Sequence, residues 1–327
     1  MLLAAALTVT ACGNSEDGSS QQTTAAPGTS DTAAVTKTAP ETESNNDSQE
    51  EQGMKKYESM ICELPPEGYD GAKEGVTYPG FKKYTYYSST AERDTNVNVL
   101  LPEDYSEDKQ YPVLYLLHGF YGNEDSLADN ANAVSRILTN LQQSGEAEEM
   151  IVVLPYIYCS KDMPYVTAMD LENCLNYDNF INDLVTDLMP YIEENFSVAK
   201  GRENTAITGF SMGGREALFI GFTRPDLFGY IGGVCPAPGL IEIPNSPMHP
   251  GQLDKSQLRF DEKNKPRVLL ISSSKSDGVV TDAPDSYRAV LTENGEEFLS
   301  HVMEYTGHDH TSVKPHLYNY FRLLFRS

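Results

Sequence analysis

Residues 205–222 read TAITGFSMGGREALFIGF: an apolar run, a serine set between glycines, then apolar residues at helical spacing. TAITGF predicts a strand and MGGREALFIGF a helix, joined by a tight turn at Ser211. A serine hydroxyl at its ordinary pKa attacks nothing at neutral pH, so Ser211 is either a turn residue or an activated nucleophile. The pattern Gly209-x-Ser211-x-Gly213 does not decide this alone. With glycine near 7% of residues and serine assumed similar, a chain of this length matches it by chance roughly once in ten. On a strand-to-helix turn, however, the pattern describes a nucleophile elbow. A strained backbone exposes the hydroxyl there, and the glycines leave room for neighbouring main chain.

Working outward, strand and helix signals alternate. KKYTYYS (82–88) and NVNVLLP (96–102) predict an early hairpin-like pair of strands. YPVLYLLHG (111–119) and MIVVLP (150–155) are continuous apolar runs, the pattern of strands buried on both faces. RVLLISSS (267–274) and FLSHVMEYTG (298–307) add two more strands. Helices are expected over 126–145, 177–196, 283–295 and 312–325. Alternation of this kind implies a mostly parallel sheet with helices on both faces, an α/β fold. Ligands bind such sheets at the carboxyl ends of the strands.

A nucleophilic serine needs a base, and the base an orienting acid. Of six histidines, His308 in EYTGHDH follows a strand directly. His301 lies within that strand and reads as packed, and His316 lies in the terminal helix as a surface or core residue. His118 ends YPVLYLLHG and reads as structural. For the acid, Asp277 in SDG lies just beyond RVLLISSS. Asp282 and Asp285 are rivals, Asp285 as a cap of the following helix, and Asp309 sits too close to His308 to orient it easily. The order Ser211, Asp277, His308 is that of α/β-hydrolases. The N–H of Met212, at a helix start, suits an oxyanion. A metal site built from His308, His310 and Asp277 is the competing reading, and it leaves the serine turn unexplained.

Three segments carry a family likeness: YDNFINDLVTDLMPYIEENFSV, RENTAITGFSMGGREALFIGFTRPDLFGYIGG and GHDHTSVKPHLYNYF. From about Gly80 onward the chain resembles the esterase D-like "putative esterase" family, especially the feruloyl and acetylxylan esterases of carbohydrate esterase family 1. The resemblance implies an α/β-hydrolase fold, Ser211 as nucleophile, His308 as base, Asp277 as acid, and no metal or organic cofactor. LLHGF matches the oxyanion segment, which makes the Phe120 N–H the partner of Met212. The chain departs from the family in having FYG after His118-Gly119, His310 after GHD, and no Trp. These departures bear on the substrate pocket. Segments 155–177 and 236–266 are expected to wall that pocket, and Tyr156, Tyr158 and Tyr165 to stack on a sugar or a phenolic acyl group.

The termini and charge narrow the setting. MLLAAALTVTAC (1–12) is too short to span a bilayer and has the apolar core of an export signal. VTAC resembles a bacterial lipobox, with Cys12 as the lipid-bearing residue, although no Lys or Arg follows Met1. Residues 13–53 contain no aromatic residue and no Leu, Ile or Met. That composition predicts a disordered polar tether ahead of an esterase domain over 54–327. The net charge is −24; eight acids and one Lys in the tether leave −17 elsewhere. Such a surface disfavours nucleic acid and anionic lipid as partners. Cys159 and Cys174 either staple the loop between them, which export would permit, or are buried free thiols. The expectation is therefore an exported esterase, lipid-anchored at the bacterial cell surface, acting on feruloyl or acetyl esters of plant polysaccharide or oligosaccharide. An esterase for a siderophore or other small ester, and an inactive glycan-binding lipoprotein, are the alternatives.

Overall fold

The computed structural model describes residues 53–242 and 249–326. The signal segment with Cys12, and all but the last residue of the expected tether, lie outside these residues. Short helix α1 (Gly53–Glu58) leads into strands β1 (Lys82–Ser88), β2 (Arg93–Leu100) and β3 (Val113–Leu117). Helix α2 (Val134–Gln143) and strand β4 (Ile151–Pro155) follow. Next comes a nearly continuous helical run of α3 (Leu171–Asp178), α4 (Phe180–Asp183), a π turn (Leu184–Leu188) and α5 (Met189–Asn195). The second half holds β5 (Thr205–Gly209), α6 (Met212–Thr223), β6 (Tyr230–Val234), β7 (Val268–Ser274), α7 (Ala283–Glu293), β8 (Leu299–Met303) and α8 (His310–Leu323).

Among the described residues the strands form one sheet in the order β1-β2-β4-β3-β5-β6-β7-β8. The β1–β2 and β2–β4 pairings are antiparallel and the other five are parallel. Side-chain alternation along each strand separates two cores. Val113, Tyr115, Leu117, Ile207 and Ile231 face the helices from α3 to α5, with α6 and α7. Leu114, Leu116, Ala206, Tyr230 and Leu270 face α2 and α8. Helices on both faces account for the continuous apolar strands, because neither face meets water. The chain steps from β3 to β4 on one side and returns to β5 on the other. This switch leaves a crevice at the carboxyl ends of β3 and β5.

The structure adds one strand the periodicity did not reveal. β6 reads YIGGV, and its two glycines hide the apolar pattern. They are there for closeness of approach. A Cβ on Gly232 would lie 2.8 Å from Thr208 Oγ1 and 2.9 Å from Tyr320, and one on Gly233 would lie 3.0 Å from the Gly214 carbonyl oxygen. The helix expected over 126–145 is confined to α2. Ahead of it, Asn123 and Asp129 accept backbone N–H groups of Asp125 and Asn132 and hold the chain in turns instead. The helix expected from 177 starts earlier, at Leu171, where the Asp170 carboxylate accepts the Asn173 N–H at 2.9 Å. The last third of the expected loop wall 155–177 is therefore helical. Asp285 is not the cap of α7: Asp282 occupies that position without a side-chain bond to the helix backbone, and Asp285 pairs with Arg288 one turn in. Cys159 and Cys174 do not form a disulfide; both are buried free thiols. Cys159 sits against Asp183 and Cys174 against Arg215.

Two histidines serve as neutral struts. His316 lies in the core of the terminal helix, its Nδ1 2.7 Å from Ser272 Oγ on β7 and its Nε2 2.9 Å from Thr208 Oγ1 on β5. His118 ends β3; its Nε2 accepts the Ile157 N–H at 3.1 Å and its Nδ1 lies 2.8 Å from the Gly119 carbonyl oxygen. Burial lowers their pKa from 6.5 to about 3 for His316 and about 4 for His118. Below pH 6.5 the unfolded chain therefore binds protons that the native state refuses. Stability falls as pH drops from about 6.5 toward these values, by up to about 1.4 kcal/mol per histidine per pH unit. Urea unfolding should accordingly show midpoints that decline between pH 7 and pH 5. A flat profile over that interval would mean that both rings accept a proton in the folded state.

Candidate active site

Ser211 sits at the carboxyl end of β5 with φ 56° and ψ −115°, a conformation that L residues rarely adopt. Its backbone is clamped on both sides. Its N–H donates to Val234 O at 3.0 Å, and its carbonyl accepts the N–H groups of Ala237 at 2.9 Å and Arg215 at 3.0 Å. The flanking glycines are required by contact. A Cβ on Gly209 would meet the Gly213 backbone at 2.4 Å, and one on Gly213 would meet Leu117 O at 2.4 Å and His118 O at 2.5 Å. The turn and the end of β3 are thus pressed together main chain to main chain. A Cβ on Gly119 would lie 3.4 Å from the Ser211 Cβ, so the Gly119–Phe120 bend passes beside the serine. Met212 opens α6 directly after it.

His308 comes from the loop between β8 and α8. Its Nε2 lies 2.8 Å from Ser211 Oγ and its Nδ1 2.7 Å from Asp277 Oδ2. Asp277, in the loop after β7, has its other oxygen accepting the N–H groups of Val279 at 2.8 Å and Val280 at 3.2 Å. Burial opposes its charge. The bonds from His308, Val279 and Val280 outweigh that and hold the carboxyl below its ordinary pKa of 3.8. The side chain of Asp277 is fully buried and that of His308 is 15% exposed. Phe210 packs on the imidazole with ring centroids 4.6 Å apart. The structure therefore brings together three groups from behind three different strands. A carboxylate fixes the Nδ1–H tautomer, leaving Nε2 to accept the serine proton.

The competing residues lie elsewhere. Asp309 caps α8 by accepting the Thr311 N–H at 2.8 Å, and Asp282 accepts Thr281 Oγ1 at 3.1 Å. His301 is buried against the Glu63 carbonyl oxygen. His249 lies 2.8 Å from Asp178 Oδ2. His310 is exposed at the start of α8. Among the described residues, one trio of metal-ligand type converges, Cys235, Asp277 and His308, and His310 has no part in it. Tyr156, Tyr158 and Tyr165 all line a cavity beside this rim. Tyr158 is buried, its hydroxyl donating to Asn173 Oδ1 at 2.7 Å. It therefore borders the cavity with little of its surface open.

Sequence reasoning passed over the layer beneath the site. Tyr177, fully buried at the end of α3, packs under Phe120 with centroids 5.0 Å apart. Its hydroxyl accepts the N–H of Tyr121 at 3.2 Å, and Tyr121 itself has φ 62°. Next to Tyr177, Asp178 accepts from Arg215 at 2.6 Å, one turn along α6 from Ser211. Arg215 is fully buried; Glu216 and Asp178 keep it charged against the cost of that burial. Cys235 lies against Asp277, and burial, then that carboxylate, push its thiol up to about 12, so it remains neutral. An aromatic at a helix end and a lone cysteine look like ordinary core in a sequence, which is why none of these stood out.

A family model described as "Putative esterase" matches residues 88–326, and the chain belongs to that family. Its likeness to particular members is uneven in extent. An endo-1,4-beta-xylanase/feruloyl esterase of Xylanibacter ruminicola is 30% identical over 187 residues, 55% of this chain and 25% of that protein. Endo-1,4-beta-xylanase Y of Acetivibrio thermocellus is 25% identical over 235 residues, 68% of this chain and 20% of that protein. The chain thus spans a quarter or less of the length of these curated relatives. The solved structure of a CE1 ferulic acid esterase from Anaeromyces mucronatus, in complex with ferulic acid, is 42% identical with a TM-score of 0.76. The match covers 81% of this chain and 97% of that one.

Among the described residues, the Tyr177 hydroxyl is the side chain hydrogen-bonded to the Tyr121 backbone, at the bend that carries Phe120. Tyr177→Phe keeps the ring under Phe120 and removes that bond. If the Phe120 N–H receives the oxyanion, steady-state hydrolysis of p-nitrophenyl acetate should show kcat down about tenfold with KM changed little. The unfolding free energy should drop by only about 1 kcal/mol. An unchanged kcat would leave Tyr177 a packing residue only.

Proposed function

We propose that this chain is a serine carboxylic ester hydrolase that removes feruloyl groups from plant-type polysaccharide or oligosaccharide. The observation that carries the reading is the hydrogen-bonded series Asp277, His308, Ser211 on a strained turn at the carboxyl end of β5. The 42% identity to a ferulic acid esterase favours feruloyl over acetyl as the acyl group.

In this reading Ser211 Oγ attacks the ester carbonyl carbon while its proton passes to His308 Nε2. The carbonyl electron pair moves onto oxygen, and the oxyanion is received by the N–H groups of Met212 and Phe120. Asp277, kept ionised, stabilises the imidazolium through Nδ1–H. Collapse of the tetrahedral species breaks the bond to the alcohol oxygen, which takes the proton from His308 and leaves. Water then gives a proton to His308 and attacks the acyl carbon. The second collapse expels Ser211 Oγ, which recovers its proton, and the free acid departs. Water is the one co-reactant, consumed in the second half.

Two outcomes test the proposal. Purified protein should turn over methyl ferulate, and Ser211→Ala should lower kcat by on the order of 10⁴ or more, with Asp277→Asn lowering it by on the order of 10³–10⁴. Wild-type protein with no activity on methyl ferulate, p-nitrophenyl acetate or acetylated xylan would sink the reading.

The same proposal includes attachment through a lipid on Cys12, supported by VTAC ahead of a polar segment. Full-length protein made in a bacterium should partition into the detergent phase and incorporate labelled fatty acid, whereas Cys12→Ala should do neither. Equal partitioning of the two would remove the anchor from the account.

A further inference from the structure

The strand between those of Ser211 and Asp277 also brings a side chain to the rim. β6 lies between β5 and β7. Cys235 follows β6 directly, its N–H donating to Ser272 O on β7 at 2.8 Å. It has φ 45°, a left-handed conformation that strains a residue other than glycine. Its Sγ, a carboxylate oxygen of Asp277 and a ring nitrogen of His308 all lie within 4.8 Å of one another. The ester mechanism uses the acid and the base and leaves the thiol idle.

Thiolate, imidazole and carboxylate together suit zinc, whereas magnesium and calcium take oxygen ligands. The set is also oriented. Asp277 Oδ1 is held by the Val279 and Val280 N–H groups, which leaves Oδ2, 2.7 Å from His308 Nδ1, as the donor. Carboxylates that ligate metals are themselves supported by hydrogen bonds in this way. Cys235 and the Asp277 carboxylate are fully buried, and the imidazole is 15% exposed, so an ion enters past the ring. Tetrahedral zinc spaces nitrogen and oxygen ligands about 3.4 Å apart. A small rotation of the imidazole, which stands on a loop, opens the Nδ1–Oδ2 separation to that value.

We infer that Cys235 Sγ, Asp277 Oδ2 and His308 Nδ1 form an inhibitory zinc site, with water as the fourth ligand. The ion acts as a brake and not as a cofactor. On binding, the thiol gives its proton to solvent, and the Nδ1 proton is replaced by the metal while Nε2 takes up a proton. The dication then meets one thiolate and one carboxylate, which leaves the buried site neutral. Nε2 now donates toward Ser211 Oγ where it had accepted, so the serine has no base. The loss of the base rests on the esterase reading above; the binding of zinc does not.

Two measurements test the site. In the first, zinc is titrated into full-length protein hydrolysing p-nitrophenyl acetate, and each variant is scored against its own zinc-free rate. Wild type should lose activity through kcat with KM unchanged, recover it with EDTA, and ignore magnesium. Outer-shell partners alone are worth roughly 10–100-fold in metal affinity, so Cys235→Ala should need about 100-fold more zinc for half-inhibition. His310→Ala should need no more than wild type. Equal sensitivity of wild type and Cys235→Ala would overturn the proposal, and so would inhibition expressed in KM alone.

In the second, cobalt(II) replaces zinc as the probe in Ser211→Ala protein, where no turnover is required. A thiolate-to-cobalt charge-transfer band should appear, and zinc should abolish it. A missing band, or one that persists when Cys235→Ala is added, would overturn the site even if that variant were too unstable for kinetics. Failure of the esterase reading shows itself separately, as wild-type protein idle without zinc while the cobalt band still forms.

Discussion

The backbone of Ser211 stands in a conformation costing on the order of 1–3 kcal/mol, and the rest of the rim is arranged to hold it there. Its N–H and carbonyl are engaged by Val234, Ala237 and Arg215, so the strain cannot relax without breaking three main-chain bonds. Those bonds form only because β6 lies beside β5 and α6 packs back onto both. Gly209, Gly213 and Gly233 let the main chains close to contact. A single methyl group at Gly213 would push the turn away from Leu117 and His118, and with it the serine from the bend that carries Phe120. The alternation of strand and helix is therefore more than a scaffold; it is what keeps an unfavourable serine conformation in place.

A second layer works from below. Tyr177 and Asp178 are neighbours in sequence, yet one supports the Phe120 bend and the other grips Arg215 behind Ser211. The end of one helix thus joins the two halves of the site. The charges in this layer are met by opposite charges or an amide, as with Gln252 donating to both Asp178 and Glu216, while Arg215 Nη1 is left without a hydrogen-bond partner among the described residues. Breaking one member leaves the others uncompensated, which makes the layer stiff.

Much of this architecture could be read from the chain, because both kinds of signal used were local. Continuous apolar runs such as VLYLL mark strands covered on both faces, and residues just beyond such runs fall on the rim. Ser211, Asp277 and His308 were placed by that rule, and they converge within hydrogen-bond distance. The family likeness, carried by three quoted segments, agrees with the family match. What escaped reading was set by tertiary contact. Two of the five residues of β6 are glycine where two helices press on it, so its apolar pattern is erased. Tyr158 and Tyr165 look alike in sequence, yet one is sealed against Asn173 and the other opens to solvent. The Cys159 and Cys174 spacing allows a staple, but the fold turns each thiol toward a different charged neighbour.

The three members of the rim series each follow a separate strand, β5, β7 and β8, and β8 is the outermost on its side of the sheet. The imidazole arrives with the last strand to be added. During synthesis from the amino end, a chain can complete the serine turn and even bury Asp277 while still lacking any base. Competence would therefore appear abruptly, when the final hairpin of chain from β8 into α8 docks and His316 is drawn between Ser272 and Thr208. On that reading, the onset of turnover would mark the closing step of folding.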